Sequence, residues 1–186
     1  MLVPMRAILD AADKNGYAQG AFNVNAVCQV KAAVDVHQIL RSPAIIQGAD
    51  LANGFMGGRT DFANSTLEDK KAGAKNIGAA VKKYAADSDI PVALHLDHGK
   101  NFDSCIAAIE GGYTSVMIDG SSLPFDENVE LTREVVKYAH ERGVTVEGEL
   151  GVLAGVEDHV FAATSTYTNP LSAIDFFKKT GVDALA

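Results

Sequence analysis

The chain has 186 residues, a length that suits one sizeable domain rather than two. Hydrophobic residues make up 47% and charged residues 22% of it, an ordinary globular composition that excludes disorder and collagen-like structure. The formal net charge is -8 without a dense basic segment, which disfavours nucleic acid and anionic membranes as partners. Because the sequence has no secretion signal and no membrane-length apolar stretch, we expect a cytoplasmic protein.

Short apolar runs alternate with longer amphipathic segments along the chain. The apolar runs do not alternate with polar residues, which is typical of parallel strands covered on both faces. Six such strands are predicted, at residues 20–24, 44–47, 92–96, 115–118, 145–150 and 182–186.

The segments between the predicted strands carry helix signals, and the last of them is the clearest. Asn169 and Pro170 have the pattern of a helix cap and first helical residue, and Gly181 is a typical stop. The spacing of Ile174 and Phe177 predicts that both face inward.

Alternation of strands and helices predicts βαβ units and therefore an α/β sheet or barrel. A (β/α)8 barrel has eight strands and about 250 residues. Here six strands are predicted, and the sequence ends inside the apolar segment 182–186, which would leave an unpaired edge. We therefore expect residues 1–186 to form a single, incomplete TIM (β/α)8 barrel domain, truncated after about six strands.

Asp97 and His98 end the third predicted strand, at the edge where parallel α/β proteins carry their chemistry. Strand alternation would point these two side chains to opposite faces. Both can serve one site only if the strand breaks there, which Gly99 permits. Taken alone, the pair is also compatible with a core histidine that is hydrogen-bonded to a neighbouring carboxylate.

The next two strands also end in acidic residues. Asp119 follows the fourth strand, where a lone aspartate is more often a turn residue than a ligand. Glu147 and Glu149 share one face of the fifth strand, and carboxylates this close raise each other's pKa unless a cation or donor lies between them. Histidine, aspartate and glutamate at three successive strand ends favour a divalent metal, and this donor set suits zinc.

A long connection over residues 151–168 follows the fifth strand and carries Glu157, Asp158 and His159. Connections of this length in compact α/β domains are typically lids or binding loops, although a plain acidic surface loop is the alternative. At the end of the first strand, Asn23 could bind substrate or cap the following helix.

Assembled in order, these segments resemble the class II, metal-dependent fructose-bisphosphate aldolases, a ketose-bisphosphate aldolase family of (β/α)8 barrels. The resemblance covers essentially the whole chain, and the most specific pair is LHLDHG with the later ELG and GVED. The matching segments are AFNVN, SPAII, LHLDHG, SVMIDGS and VEGELG followed by GVED.

The resemblance implies a role for each matching polar residue. Asp97 is similar to the family's catalytic acid/base, and His98 to the first histidine ligand of its zinc. Asp119 and Glu149 match the carboxylates of a second, displaced metal position, which leaves open a second divalent or a monovalent cation. Glu157 aligns with an acidic loop residue that some members use for proton abstraction from the ketose donor.

Two positions are implied to bind substrate. Asn23 lies in the matching AFNVN segment. Ala49 stands where many relatives place a serine that contacts the aldehyde side of the substrate, so the preference on that side is open.

The implied activity is cleavage of fructose 1,6-bisphosphate to dihydroxyacetone phosphate and glyceraldehyde 3-phosphate. The implied partner is a phosphorylated ketose, and the full-length protein is expected to be a homo-oligomer, a dimer or tetramer. Two further zinc-binding histidines and the phosphate-binding loops of the family would follow residue 186, so the 186 residues alone are expected to be inactive. Alternatives are a tagatose-bisphosphate or other ketose-bisphosphate aldolase, or a non-catalytic short paralogue that acts by subunit association.

Overall fold

A computed structural model describes residues 1–152, 154–157 and 160–186. The strands are β1 (Ala21–Asn23), β2 (Ala44–Ala49), β3 (Val92–Gly99), β4 (Ser115–Ile118), β5 (Thr145–Gly148), β6 (Gly155–Glu157), β7 (Val160–Ala162) and β8 (Ala184–Leu185). The α-helices are α1 (Met5–Asn15), α2 (Val27–Leu40), α3 (Asp50–Met56), α4 (Leu67–Ala86), α5 (Phe102–Glu110), α6 (Phe125–His140) and α7 (Pro170–Thr180).

Six of these strands form one open, parallel sheet in the order β1-β2-β3-β4-β5-β8. Helices lie between successive strands, which confirms the predicted α/β fold and its six-strand count. The last strand is shorter than the predicted segment 182–186. In the long connection after β5, the structure contains an antiparallel hairpin of β6 and β7 that the sequence did not predict.

Alternation along the strands gives the sheet two different faces. The outer face is apolar and packs against the helices, with residues such as Ile46, Leu94, Val116 and Val146 fully buried. The inner face carries polar side chains towards the carboxyl ends of the strands. The helix layer therefore stabilises the sheet, while the inner face can hold a site.

Helix α1 closes the amino end of the inner face. Met5 and Ile8 pack on Ile45 and Ala93, near the starts of β2 and β3. The backbone N–H of Arg6 donates to the Thr145 hydroxyl at 3.1 Å. The inner face is thus sealed at its amino end.

Helix α7 begins and ends as predicted but buries another face. The Asn169 side chain accepts hydrogen bonds from the first turn, and Gly181 adopts a left-handed conformation at the end. Ile174 and Phe177 are 51% and 58% exposed, so the prediction that they face inward is wrong. Phe176 is the buried residue because its ring packs against β5, where a Cβ on Gly148 would contact it at 2.8 Å.

No helix within the described ranges is both long and apolar enough to cross a membrane.

Candidate active site

The end of β3 turns sharply and brings two neighbouring side chains into one cavity. The register between β3 and β4 shifts between Leu96 and Gly99, and His98 has a φ of 48°. This left-handed conformation is uncommon for a residue with a side chain and costs free energy, which neighbouring contacts must offset. Because of it, Asp97 and His98 both line a cavity of about 310 Å³. The strand does not end there, as a break would require; β3 continues to Gly99 with an irregularity in its register.

Gly99 permits this turn by its small size. A Cβ there would lie 2.5 Å from the carbonyl oxygen of Met117 on β4. The residue in the left-handed region is His98, so close approach of two strands, not backbone freedom, explains the glycine.

The three predicted metal ligands, His98, Asp119 and Glu149, form one cluster, and His98 and Glu149 line this cavity. The His98 Nδ1 atom is 3.1 Å from Asp119 Oδ2 and 3.7 Å from Glu149 Oε2. One donor atom from each residue lies within 4.8 Å of the others. Tetrahedral zinc binds such donors at about 2.0–2.2 Å, which places them roughly 3.3–3.6 Å apart. The donor types suit zinc, and the two distances from His98 lie close to this range.

The protonation of the cluster reflects its crowding. A hydrogen bond with Asp119 is the main reason that the pKa of His98 rises to about 9; burial opposes the rise, and the charges of Asp97 and Glu149 reinforce it. Burial raises the pKa of Asp119, but hydrogen bonds from His98 and from the Ser121 hydroxyl and N–H outweigh it and lower this pKa to about 2. Without metal, the cluster therefore holds an imidazolium between carboxylates.

Asp97 is oriented by the first strand. The Asn23 side-chain amide donates to Asp97 Oδ2 at 3.3 Å. Ala49 is the register partner of Asp97 on β2, so its methyl group stands beside this carboxylate. The two positions that the resemblance marks for substrate binding thus lie next to Asp97.

A hydrogen-bonded group of polar side chains that was not predicted from the sequence lies on the inner face, one layer below the cluster. His95 is almost fully buried; its Nδ1 is 2.8 Å from the Ser115 hydroxyl and its Nε2 is 3.3 Å from Glu147 Oε2. Strand alternation could have indicated it, because His95 and Asp97 are two residues apart and must share a face. Glu147 and Glu149 do line the same cavity, as predicted.

Glu157 ends β6, but its side chain lies outside the described part of the chain, as do Asp158 and His159. Its predicted role in proton abstraction is therefore left as a prediction.

Comparison with known proteins identifies the family of the chain. The model of the family described as fructose-bisphosphate aldolase class-II matches residues 3–186. The chain belongs to this family. Curated members that it resembles are fructose-bisphosphate aldolases from Treponema pallidum (strain Nichols), 48% identical over 189 residues, and Geobacillus stearothermophilus, 41% identical over 187 residues.

Both alignments cover 100% of this chain, but only 53% and 60% of the relatives. The chain thus spans a little over half the length of the curated aldolases it matches. Among solved structures, the YdjI aldolase from Escherichia coli K12 superposes with a TM-score of 0.76 at 31% identity, covering 100% of this chain and 59% of that one. The α/β architecture is therefore that of aldolases in this family.

Proposed function

We propose that the full-length protein to which these residues belong is a zinc-dependent aldolase that cleaves fructose 1,6-bisphosphate to dihydroxyacetone phosphate and glyceraldehyde 3-phosphate. The observation that carries the proposal is the position of Asp97, an acid/base group, in one cavity with His98 and Glu149, which form a donor cluster with Asp119. Membership of the aldolase family supports the same reaction.

Among the described residues, His98 would offer one nitrogen to the metal and Asp119 and Glu149 two oxygens, beside the two further histidines that the resemblance places after residue 186. When bound, zinc would supply Lewis-acid stabilisation of the negative charge that develops on the ketose oxygens. To bind it, His98 must lose the proton that Asp119 now shares, because a metal-bound imidazole nitrogen cannot carry one. Asp119 would then change from a hydrogen-bond acceptor to a ligand.

Asp97 would take the proton from the C4 hydroxyl group of the open-chain substrate. As this O–H bond breaks, C4 becomes the aldehyde carbon of glyceraldehyde 3-phosphate, and the C3–C4 bonding electrons pass into the enediolate of dihydroxyacetone phosphate. A proton then returns to C3, the role that the resemblance gives to Glu157. Asn23 would keep the Asp97 carboxylate turned towards the cavity, since it binds only one carboxylate oxygen.

The test is to measure zinc content and substrate cleavage together on the full-length protein. Cleavage is followed by coupling the release of dihydroxyacetone phosphate to NADH oxidation. It is measured on the protein as purified, after a chelator has removed the zinc, and after zinc has been added back. We expect turnover to fall and recover with zinc, and tagatose 1,6-bisphosphate to be cleaved more slowly than fructose 1,6-bisphosphate. Turnover that is unaffected by complete zinc removal would contradict the proposal, and faster cleavage of the tagatose substrate would reassign the sugar.

A further inference from the structure

A buried asparagine on α6 contacts the backbone beside both carboxylates of the metal cluster. Asn128 is 1% exposed and lies in the second turn of α6. Its side-chain amide donates to the Glu149 carbonyl oxygen at 2.8 Å. Its side-chain oxygen accepts a hydrogen bond from the Thr132 hydroxyl at 3.1 Å, which fixes the orientation of the amide.

Asn128 contacts Glu149 just beyond the point where the hydrogen-bonded pairing of β4 with β5 ends. The last register pair between β4 and β5 is Ile118 with Gly148. The next residue on each strand is a carboxylate of the cluster, Asp119 and Glu149. The Asn128 amide donates to the partly buried Glu149 carbonyl the hydrogen bond that a longer β4 would have supplied.

The same side chain also packs against β4's continuation. A Cβ on Gly120 would overlap the oxygen of the Asn128 side chain, so the backbone after Asp119 lies directly against it. Asn128 therefore contacts the backbone at Gly120, next to Asp119, and donates a hydrogen bond to the backbone of Glu149. A change in its size or bonding would alter the separation of the two carboxylates.

We propose that Asn128 is a positioning residue that sets the spacing of Asp119 and Glu149 for metal binding. The proposal rests on the proposed function, because it takes these carboxylates to be metal ligands. Outer residues that orient metal ligands typically contribute 10–100-fold in metal affinity. We expect Asn128→Leu, which keeps the size of the side chain without adding charge, to weaken zinc binding by a factor in this range.

The measurement is zinc affinity by competition with a chromophoric chelator, accompanied by the midpoint of thermal unfolding. Asp183→Ala is the matched control, because Asp183 is a buried, bonded residue at the opposite edge of the sheet. Both variants should lower the unfolding midpoint, but only Asn128→Leu should lower the zinc affinity. Equal zinc affinity in the two variants would overturn the proposal, since a purely structural residue gives that result.

A pair of substitutions at the contact with Gly120 keeps the proposal testable if Asn128→Leu folds poorly. Gly120→Ala should weaken zinc binding because the new methyl group displaces Asn128. In an Asn128→Ala background the overlap disappears, so adding Gly120→Ala should cost little further affinity. Fully additive losses would contradict a shared mechanism.

The outcomes for this residue and for the proposed reaction are separable. Weaker zinc binding in Asn128→Leu without aldol cleavage by the unmodified protein would support the positioning role and overturn the aldolase proposal. Unchanged zinc binding with normal cleavage would do the reverse. An unmodified protein that binds no zinc would overturn both.

Discussion

Buried charged groups have different surroundings at the two edges of the parallel sheet, where the strands begin (the amino edge) and where they end (the carboxyl edge). At the amino edge, Asp183 accepts hydrogen bonds from Arg6 at 2.9 Å, from His140 at 2.9 Å and from the Val146 N–H at 2.8 Å. One carboxylate there meets three donors on α1, α6 and β5. These donors stabilise the negative charge of Asp183, and their hydrogen bonds connect α1, α6 and β5.

At the carboxyl edge, several acidic groups among the described residues converge on one histidine. Asp97, Asp119 and Glu149 surround one imidazole, and these groups together perturb its pKa. Such crowding costs free energy in the absence of a bound cation. The contrast teaches that burial of charge alone does not mark a functional site; an excess of one sign among converging side chains does.

The largest expected effect separates chemistry from metal binding at the carboxyl edge. Asp97→Asn keeps the shape of the side chain but cannot accept the substrate's proton, so turnover should fall by about 10²–10⁴-fold, the usual contribution of a general base. Zinc content should stay near that of the unmodified protein. Steady-state kinetics and metal analysis check this, with His98→Gln as the comparison that should lose zinc and turnover together. Near-normal turnover in Asp97→Asn would remove Asp97 from the mechanism.

The affinity for zinc should depend strongly on pH. Because the pKa of His98 is about 9, zinc binding below this pH must displace one proton. Affinity should therefore rise about tenfold per pH unit between pH 7 and 9 and then level off. Chelator competition across this range measures the slope. A flat profile would show that His98 is not protonated in the metal-free protein.

At the amino edge, Asp183→Ala should reduce the free energy of unfolding without changing zinc binding. The substitution leaves the Val146 N–H without its acceptor, which costs about 1–3 kcal/mol. Urea unfolding measures the loss, and zinc affinity should match that of the unmodified protein. A change in zinc affinity with this variant would show that the two edges are coupled.

The smallest expected effect is on the stability of the metal-free protein. The folded-state pKa of His98 lies above its ordinary value of 6.5, so the His98–Asp119 pair stabilises the fold fully below pH 6.5. This contribution should disappear as the pH rises through about 9. The pKa of Asp119 is lowered from 3.8 to about 2, so the stabilisation that this pair provides should also decrease as the pH falls from 3.8 to about 2. Urea unfolding at several pH values tests this, and His98→Gln should lack the loss on the alkaline side.

Much of the fold and of the site followed from local sequence signals. The apolar runs gave the six strands in their order, and residues at the strand ends gave His98, Asp119 and Glu149, because parallel strands bring their ends to one edge. Gly99 after His98 marked the place where β3 becomes irregular, although the strand does not break there. These features depend on short-range rules that hold whatever the rest of the chain does.

Other features depend on tertiary packing and were missed or wrong. Ile174 and Phe177 have helical spacing, yet α7 buries Phe176, because the position of β5 decides which stripe is covered. Asn128 reads in the sequence as one more polar residue on an amphipathic helix. The hydrogen bond from Asn128 to the Glu149 carbonyl depends on how α6 packs against the end of β5, which the sequence does not reveal.

The most direct test of the contrast between the edges is thermal unfolding with and without zinc, for the unmodified protein and for His98→Gln. Zinc at 1,000 times its dissociation constant should stabilise the unmodified protein by about 4 kcal/mol, because the metal binds only the folded cluster. The same zinc concentration should leave the unfolding midpoint of His98→Gln nearly unchanged. An equal shift in both proteins, or no shift in either, would contradict a metal site built on His98, Asp119 and Glu149.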